Sequence, residues 1–346
     1  MPRMRIIAAL CSFVLGSLVL LLPGVAQADA PFWELKPTGT DARLRGLSAV
    51  NSQVAWVSGS KGTVLRTTDG GRSWQSVAPP DTQTLDFRDI EAFDRDTAVA
   101  LSIGEGEASR IYRTNDGGRT WRESFRNTDP KAFYDCVAFF DRWRGLALSD
   151  PVDGKFRVLS TKDGGRSWQL APTEMPDALE GEFAFAASGQ CITTSGNSAW
   201  IATGGGAKAR VLHSRNGGRT WAASDTPLPS GAAAGVFAVA FRTPWQGVAI
   251  GGDYLKPTDP TPALALTRDG KTWNPTKQAP VGYRSGVAYQ GRSLVAVGPT
   301  GTDVSRDGQH WSKADDGSFD TVDCSHTCWA AGEKGRVGRL SRGALG

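Results

Sequence analysis

Six short segments of this chain spell the same turn, and that repetition constrains the fold more than any other feature. Thr67-Thr68-Asp69-Gly70-Gly71-Arg72-Ser73-Trp74 returns at residues 114–121 around Asp116 and at residues 161–168 around Asp163. A fourth copy at residues 214–221 carries Asn216 in place of the Asp, and two shorter copies surround Asp269 and Asp307. The closing tryptophans stand at 74, 121, 168, 221, 273 and 311, which is 38 to 53 residues apart. A period of that length is one four-stranded propeller blade. Within a unit, Leu44 to Val50 and Val54 to Ser58 read as strands, a Gly-rich turn follows, Val64 to Thr67 runs into the motif, and a fourth strand starts at the Trp. The motif suits a hairpin. Asp can accept bonds from the backbone just after it, Gly takes positive φ without strain, and Trp can wedge between neighbouring sheets.

Aligning the first strands gives seven units, beginning near Arg45, Arg88, Asp135, Gln190, Phe237, Arg284 and Asp320. The seventh lacks a Trp-led fourth strand. Phe32-Trp33-Glu34-Leu35 resembles Ser73-Trp74-Gln75-Ser76 and is expected to supply it from the N-terminal end. The expectation is an all-β chain: one seven-bladed β-propeller over residues 29–346, with four-stranded blades and a ring closed by its first strand. Closure would leave the array without an open edge.

Residues 1–28 read as a secretory signal peptide. Arg3 and Arg5 precede an apolar stretch from Ile6 to Leu22, Pro23-Gly24 breaks it, and Ala26-Gln27-Ala28 fits a cleavage site. The stretch is short for a bilayer span, and no second segment is long and apolar enough to cross, so the processed chain is expected to be soluble and exported, periplasmic or secreted. A thylakoid lumen would apply only in a photosynthetic host. The whole chain has 39 Lys and Arg against 35 Asp and Glu. This near balance argues against a nucleic-acid partner. Twelve Trp and 40% hydrophobic residues exclude a disordered chain. Three His leave little for a Ser-His-Asp triad or a histidine metal site. Gly270-Lys271-Thr272 looks like the end of a P-loop, but Ala265 stands where its first Gly should be. No dinucleotide fingerprint is found, and neither cofactor nor metal is expected.

The repeated segments match the Asp-box (bacterial neuraminidase repeat) pattern, S/T-x-D-x-G-x-T/S-W, over essentially the whole chain after the leader. That pattern recurs in sialidases, other glycosidases, sorting receptors and non-enzymatic propellers. The seven-unit layout, the DGGRTW and DGGRSW forms and the leader look most like the photosystem II stability/assembly factor family and its relatives in non-photosynthetic bacteria. The resemblance implies a scaffold that holds a partner protein during assembly of a membrane or envelope complex. It also implies an arginine-rich binding patch, matched here to Arg45, Arg88 and Arg284. The Asp and Asn of the boxes read as structural.

In a propeller the connections into each innermost strand share one face with the loops joining second and third strands. Arg45, Arg88 and Arg284 should therefore surround the channel mouth, joined by Asp86, Asp89, Tyr134, Asp135, Glu180, Glu182, Tyr283 and Asp320, with Asp150, Asp153, Asp253, Tyr254 and Glu333 from the outer loops. Converging guanidiniums could grip a carboxylate or an acidic peptide. The competing reading is a solvated rim of charges that neutralise one another. A sialidase is disfavoured: Arg45 is followed by Gly46-Leu47 instead of Ile-Pro, and seven units are counted where sialidases have six blades. A two-carboxylate glycoside hydrolase with a glycan ligand is the alternative, drawing on Asp135, Glu182 and Asp253, with Asp150 also in reach. Four cysteines follow the leader. Cys136 and Cys191 fall at the same place in the first strands of units 3 and 4, where an inter-blade disulfide competes with buried free thiols. Cys324 and Cys328 flank a turn in unit 7, where a disulfide competes with a metal site using His326.

Overall fold

A computed structural model describes residues 30–345, and the leader assigned to residues 1–28 lies outside the described residues. Seven four-stranded antiparallel sheets, each one blade, make up the fold. Blades 1 to 6 are continuous in sequence, their first strands being Leu44–Ala49, Asp86–Ala92, Tyr134–Phe139, Ile192–Ser195, Ala234–Thr243 and Gly286–Gln290. Blade 7 takes its inner three strands (Thr321–Cys324, Cys328–Ala331 and Val337–Leu340) from one end of the chain and its outer strand, Trp33–Leu35, from the other. Two short 3-10 turns, Gly106–Ala108 and Glu333–Gly335, are the only helical elements among the described residues. No helix there is long and apolar enough to cross a membrane.

The core lies between blades. Leu44, Ala55, Val57 and Leu65 of blade 1 pack on Trp329 and Val337 of blade 7. Val99, Leu101 and Ile111 of blade 2 pack on Val137, Ala147 and Leu159 of blade 3. Strands covered on both faces explain the near-continuous apolar runs such as Ala98–Ile103, where simple alternation would leave one face wet.

The repeated turns are self-contained. In blade 1 the Thr67 hydroxyl donates to Asp69 Oδ1 at 2.9 Å, and the Gly71 N–H donates to Thr67 Oγ1 at 2.9 Å. Asp69 also accepts from the Ser73 N–H at 3.0 Å and the Ser73 hydroxyl at 2.6 Å. Gly70 and Gly71, at φ 74° and 81°, hold the left-handed conformation that closes the loop. Asp116 and Asp163 repeat these bonds, and Asn216 reproduces them with its amide donating to Thr220 Oγ1 at 2.9 Å. In the shorter copies Asp269 accepts from the Thr272 N–H and Asp307 from the His310 N–H. In blades 1 and 2 the tryptophan that ends the turn meets an aromatic of the neighbouring blade edge-on, Trp74 against Trp329 and Trp121 against Trp56.

Ring closure rests on three register pairs, Trp33 with Leu340, Glu34 with Arg339 and Leu35 with Gly338. Trp33 is 3% exposed and donates its indole N–H to Thr302 Oγ1 of blade 6 at 2.9 Å, so one side chain ties the outer strand of blade 7 to its neighbour. Trp33→Ala should cost about 3–5 kcal/mol in equilibrium denaturation.

Hydrogen bonding holds two of the turn carboxyls low. The Ser73 hydroxyl first and its N–H second bring Asp69 down to about 2, and Thr120 does the same for Asp116. An acid with a depressed folded pKa adds stability above its unfolded pKa of about 4 and loses it as pH falls toward about 2. The double variant Asp69→Asn/Asp116→Asn should still fold, since Asn216 already builds this turn, but melt below the parent at pH 7, where the ionised carboxylates stabilise it. Its melting temperature should fall less than the parent's between pH 5 and pH 2.

Candidate functional site at the channel mouth

The first strands of blades 1, 2, 3 and 5 each carry a β-bulge at the same place. Register skips from Leu44 to Gly46, from Phe87 to Asp89, from Tyr134 to Cys136 and from Val236 to Ala238. The skipped residues are Arg45, Arg88, Asp135 and Phe237. A bulge re-aims a side chain that regular pairing would lock to one face. Four blades thus present a side chain at equivalent positions on the channel mouth, and the sequence alignment had placed the starts of these units on those residues.

Arg45 stands apart among them. Its side chain makes no hydrogen bond or ion pair among the described residues, and its Nε is covered without a partner. Burial, followed by the nearby Arg88 charge, pushes its pKa down to about 10, with Asp320 pulling the other way. At neutral pH it remains a half-buried cation with no carboxylate in contact. Arg88 is better held: its Nε donates to Asp86 at 2.8 Å and its Nη1 to the Ala186 carbonyl at 2.8 Å. A third guanidinium at the mouth belongs to Arg43, which grips Asp320 with two bonds of 2.9 and 2.6 Å and reaches Glu333 at 3.0 Å. Sequence reasoning missed Arg43. Its signal was its place two residues before Arg45, at the entry to the same strand.

Arg284 does not join this group. Its N–H bonds the Gly251 carbonyl of the preceding blade, as Leu44 bonds Gly332 and Val236 bonds Thr203. Arg284 therefore occupies the phase of Leu44 and Val236, which faces between blades, and Ser285 takes the mouth position. The Arg284 guanidinium is buried on Asp303 at 2.7 Å, Thr300 Oγ1 at 2.7 Å and the Tyr283 carbonyl at 2.9 Å. Tyr134 is displaced for the same reason. It shares the phase of Leu44 and Phe87 and packs edge-on against Phe125.

Of the carboxylates considered for hydrolysis, Glu182 and Asp253 are committed elsewhere, and Asp135 lies with Asp150. Glu182 is consumed in a buried ion pair with Arg210 and accepts from Thr203 Oγ1 at 2.6 Å and the Leu179 N–H at 2.8 Å. Asp253 accepts the Leu255 N–H of its own turn at 2.9 Å. Asp153 pairs with Lys131 at 3.0 Å. Asp135 neighbours Asp150 instead. Burial first, and then the Asp150 charge, holds the Asp135 carboxyl well above its ordinary range, so the two together keep a proton. Asp135 Oδ2 is buried without a partner.

An aromatic wall completes the mouth. Phe185 stacks on Phe237 at 3.8 Å, Tyr283 meets Phe237 edge-on at 4.7 Å, and the half-exposed Tyr254 stands edge-on to both phenylalanines. Burial, then the Asp320 charge, raises the Tyr283 phenol, which stays protonated as a donor. The residues leading into blade 4 lie across the channel beneath this wall. The Ala186 carbonyl takes its bond from Arg88, and the Ser188 carbonyl accepts from Thr321 Oγ1 at 2.9 Å. Gln190 donates to the Val287 and Val322 carbonyls at 3.0 Å each and accepts the Val287 N–H. Blades 2, 4, 6 and 7 are thereby laced together. Below the plug a cavity of about 270 Å³ is lined by Asp89, Glu91 and Asp323, all raised by burial. Among the described residues no group of three or more His, Cys, Asp or Glu is arranged to hold a metal ion.

Both disulfides are formed. Cys136–Cys191 joins the first strands of blades 3 and 4 and anchors the end of the plug, and Cys324–Cys328 links the ends of the blade 7 hairpin. They replace the free-thiol and metal-site alternatives at those positions.

No family model matches the chain, and no curated protein matches it by sequence. Solved structures do share its fold. A structure of YCF48 bound to a D1 peptide superposes with a TM-score of 0.63 at 16% identity, covering 93% of this chain and 99% of that one. YCF48 from Cyanidioschyzon merolae gives 0.63 at 15%, covering 89% and 98%. The WD40 β-propeller domain of Doa1 gives 0.58 at 12%, covering 90% and 97%. At such identities the likeness is one of fold.

The two arginines should respond oppositely to an uncharged substitution. Removing a half-buried cation that has no partner leaves nothing unpaired, so Arg45→Met should keep or raise the melting temperature. Arg284→Met strands Asp303 and should cost about 3–5 kcal/mol by chemical denaturation.

Proposed function

We propose that this chain is an exported, non-enzymatic scaffold whose channel mouth binds a segment of a partner protein, in the manner of a photosystem II assembly factor-like propeller. Arg45 is the observation that carries the reading. A half-buried guanidinium with a covered Nε and no carboxylate in contact is held at some cost, and an incoming carboxylate offsets that cost. Arg88 lies close enough to share the incoming charge. The Phe185–Phe237–Tyr254 wall offers apolar contact on the same rim, and the raised Tyr283 phenol offers a donor. A cation flanked by aromatics suits a peptide carrying a carboxylate beside an apolar side chain. The likeness to YCF48, which has been observed with a D1 peptide, favours a peptide over a glycan. The glycoside-hydrolase reading loses support because Glu182 and Asp253 are committed to Arg210 and to a local turn.

The test is affinity capture from an envelope extract, with the parent compared to Arg45→Ala/Arg88→Ala at matched thermal stability. The parent should retain a protein that the double variant loses, and retention should fall as salt is raised. Equal capture by both would remove the mouth from the binding surface.

A further inference from the structure

The face opposite the mouth is made of two sets of turns bonded to each other within each blade. The Gly70 N–H donates to the Gln53 carbonyl, Gly117 to Asp96, Gly164 to Trp143 and Gly217 to Asn197, all at 2.8 to 2.9 Å. Only the carbonyl of the accepting residue is used, so the turn itself does not dictate that side chain. Gln53, Asp96 and Asn197 are the polar choices in blades 1, 2 and 4. Blade 3 places Trp143 there, and blade 5 places Trp245 at the tip of its own first turn. These are the only two exposed tryptophans among the described residues, at 58% and 52%. Each lies under a guanidinium, Arg166 at 5.9 Å from the Trp143 ring and Arg215 at 4.7 Å from the Trp245 ring.

Charge on the blade 3 to 6 side of this face is one-sided. The turns of blades 3 to 6 (residues 141–144, 162–166, 215–219, 242–246, 268–272, 291–292 and 306–310) hold eleven Lys and Arg against four Asp. Three of those Asp hold their own repeated turns, and the fourth, Asp141, pairs with Arg144 at 2.8 Å. Lys162, Arg166, Arg219, Arg242 and Arg268 are exposed and have no carboxylate partner among the described residues. The chain as a whole is only +4, so positive charge is concentrated here.

We propose that this face docks on an anionic lipid bilayer. Indole rings partition to the headgroup region, where one side is apolar and the other wet, and a stacked guanidinium places a cation at phosphate level beside each ring. Unpaired Lys and Arg near such a surface add attraction that depends on anionic lipid and is screened by salt. Docked this way, the propeller would hold its channel mouth away from the bilayer.

The experiment uses residues 30–346, which hold every strand of the ring, in co-sedimentation with two vesicle compositions. One is phosphatidylcholine alone and the other includes about 30% phosphatidylglycerol, enough to set a negative surface potential. The propeller should sediment with the anionic vesicles and not with the neutral ones. Trp143→Ser/Trp245→Ser should weaken that binding at least about tenfold, as should Lys162→Ser/Arg219→Ser/Arg242→Ser/Arg268→Ser. Arg45→Ala should leave it unchanged, which separates this surface from the mouth. Absence of binding to anionic vesicles overturns the proposal. So does binding that survives both sets of substitutions, or binding that ignores the tryptophans and is matched by a single-stranded oligonucleotide.

Discussion

Three residues at the N-terminal end of the ring, Trp33–Leu35, pair with Val337–Leu340 and convert an open stack of sheets into a closed one. Everything else depends on that pairing, because the blades bury their faces only against each other. Without it, blade 7 would expose the edge of Val337–Leu340 and the apolar side of Trp33, Phe319 and Val322, and blade 6 would lose the Thr302 contact. The chemistry of closure is local and modest, a short antiparallel ladder and one indole. Its consequence is global, since it fixes the radius at which seven first strands face one another around the channel.

On that fixed ring a single residue of phase separates a buried ion pair from a side chain at the channel mouth. Arg45 and Arg284 both stand at the start of a first strand and look interchangeable in an alignment by repeat. Backbone bonding shows that Arg284 occupies the position of Leu44 and Val236, so its charge turns between blades and meets Asp303. Arg45 sits one residue on, lifted by a bulge into the mouth, and finds only another arginine and a carboxylate already gripped by Arg43. Period-two geometry makes this outcome all-or-none: a slip of one residue moves a side chain to the other face.

The two ends of the ring are then chemically distinct. The mouth combines cations, a buried carboxyl pair and an aromatic wall, and the plug through Ser188 and Gln190 seals it from the cavity below. The far end is built of turns whose carboxylates are occupied by their own backbone, which leaves the basic side chains outward. A motif repeated for folding reasons thereby leaves the blade 3 to 6 side of this face mostly basic, and Trp143 and Trp245 are the departures from it that the turns do not require.

The amino-acid sequence by itself determined the blade count, the closing strand and the role of the repeated turns. Those features rest on local rules: Asp69 bonds atoms within four residues of itself, and Trp33 imitates Trp74 in pattern. It also placed Arg45, Arg88 and Asp135 at equivalent positions, because the bulges fall at the same point of a repeat, and it offered both disulfide pairs among its alternatives. Only the tertiary structure decided which arginines share the mouth, that Glu182 belongs to Arg210, and that Gln190 crosses the channel to Val287 and Val322. Those partners are distant in sequence and meet only once the ring is closed. Whether a charge is neutralised or left waiting depends on such distant neighbours, which a repeat, read one unit at a time, does not contain.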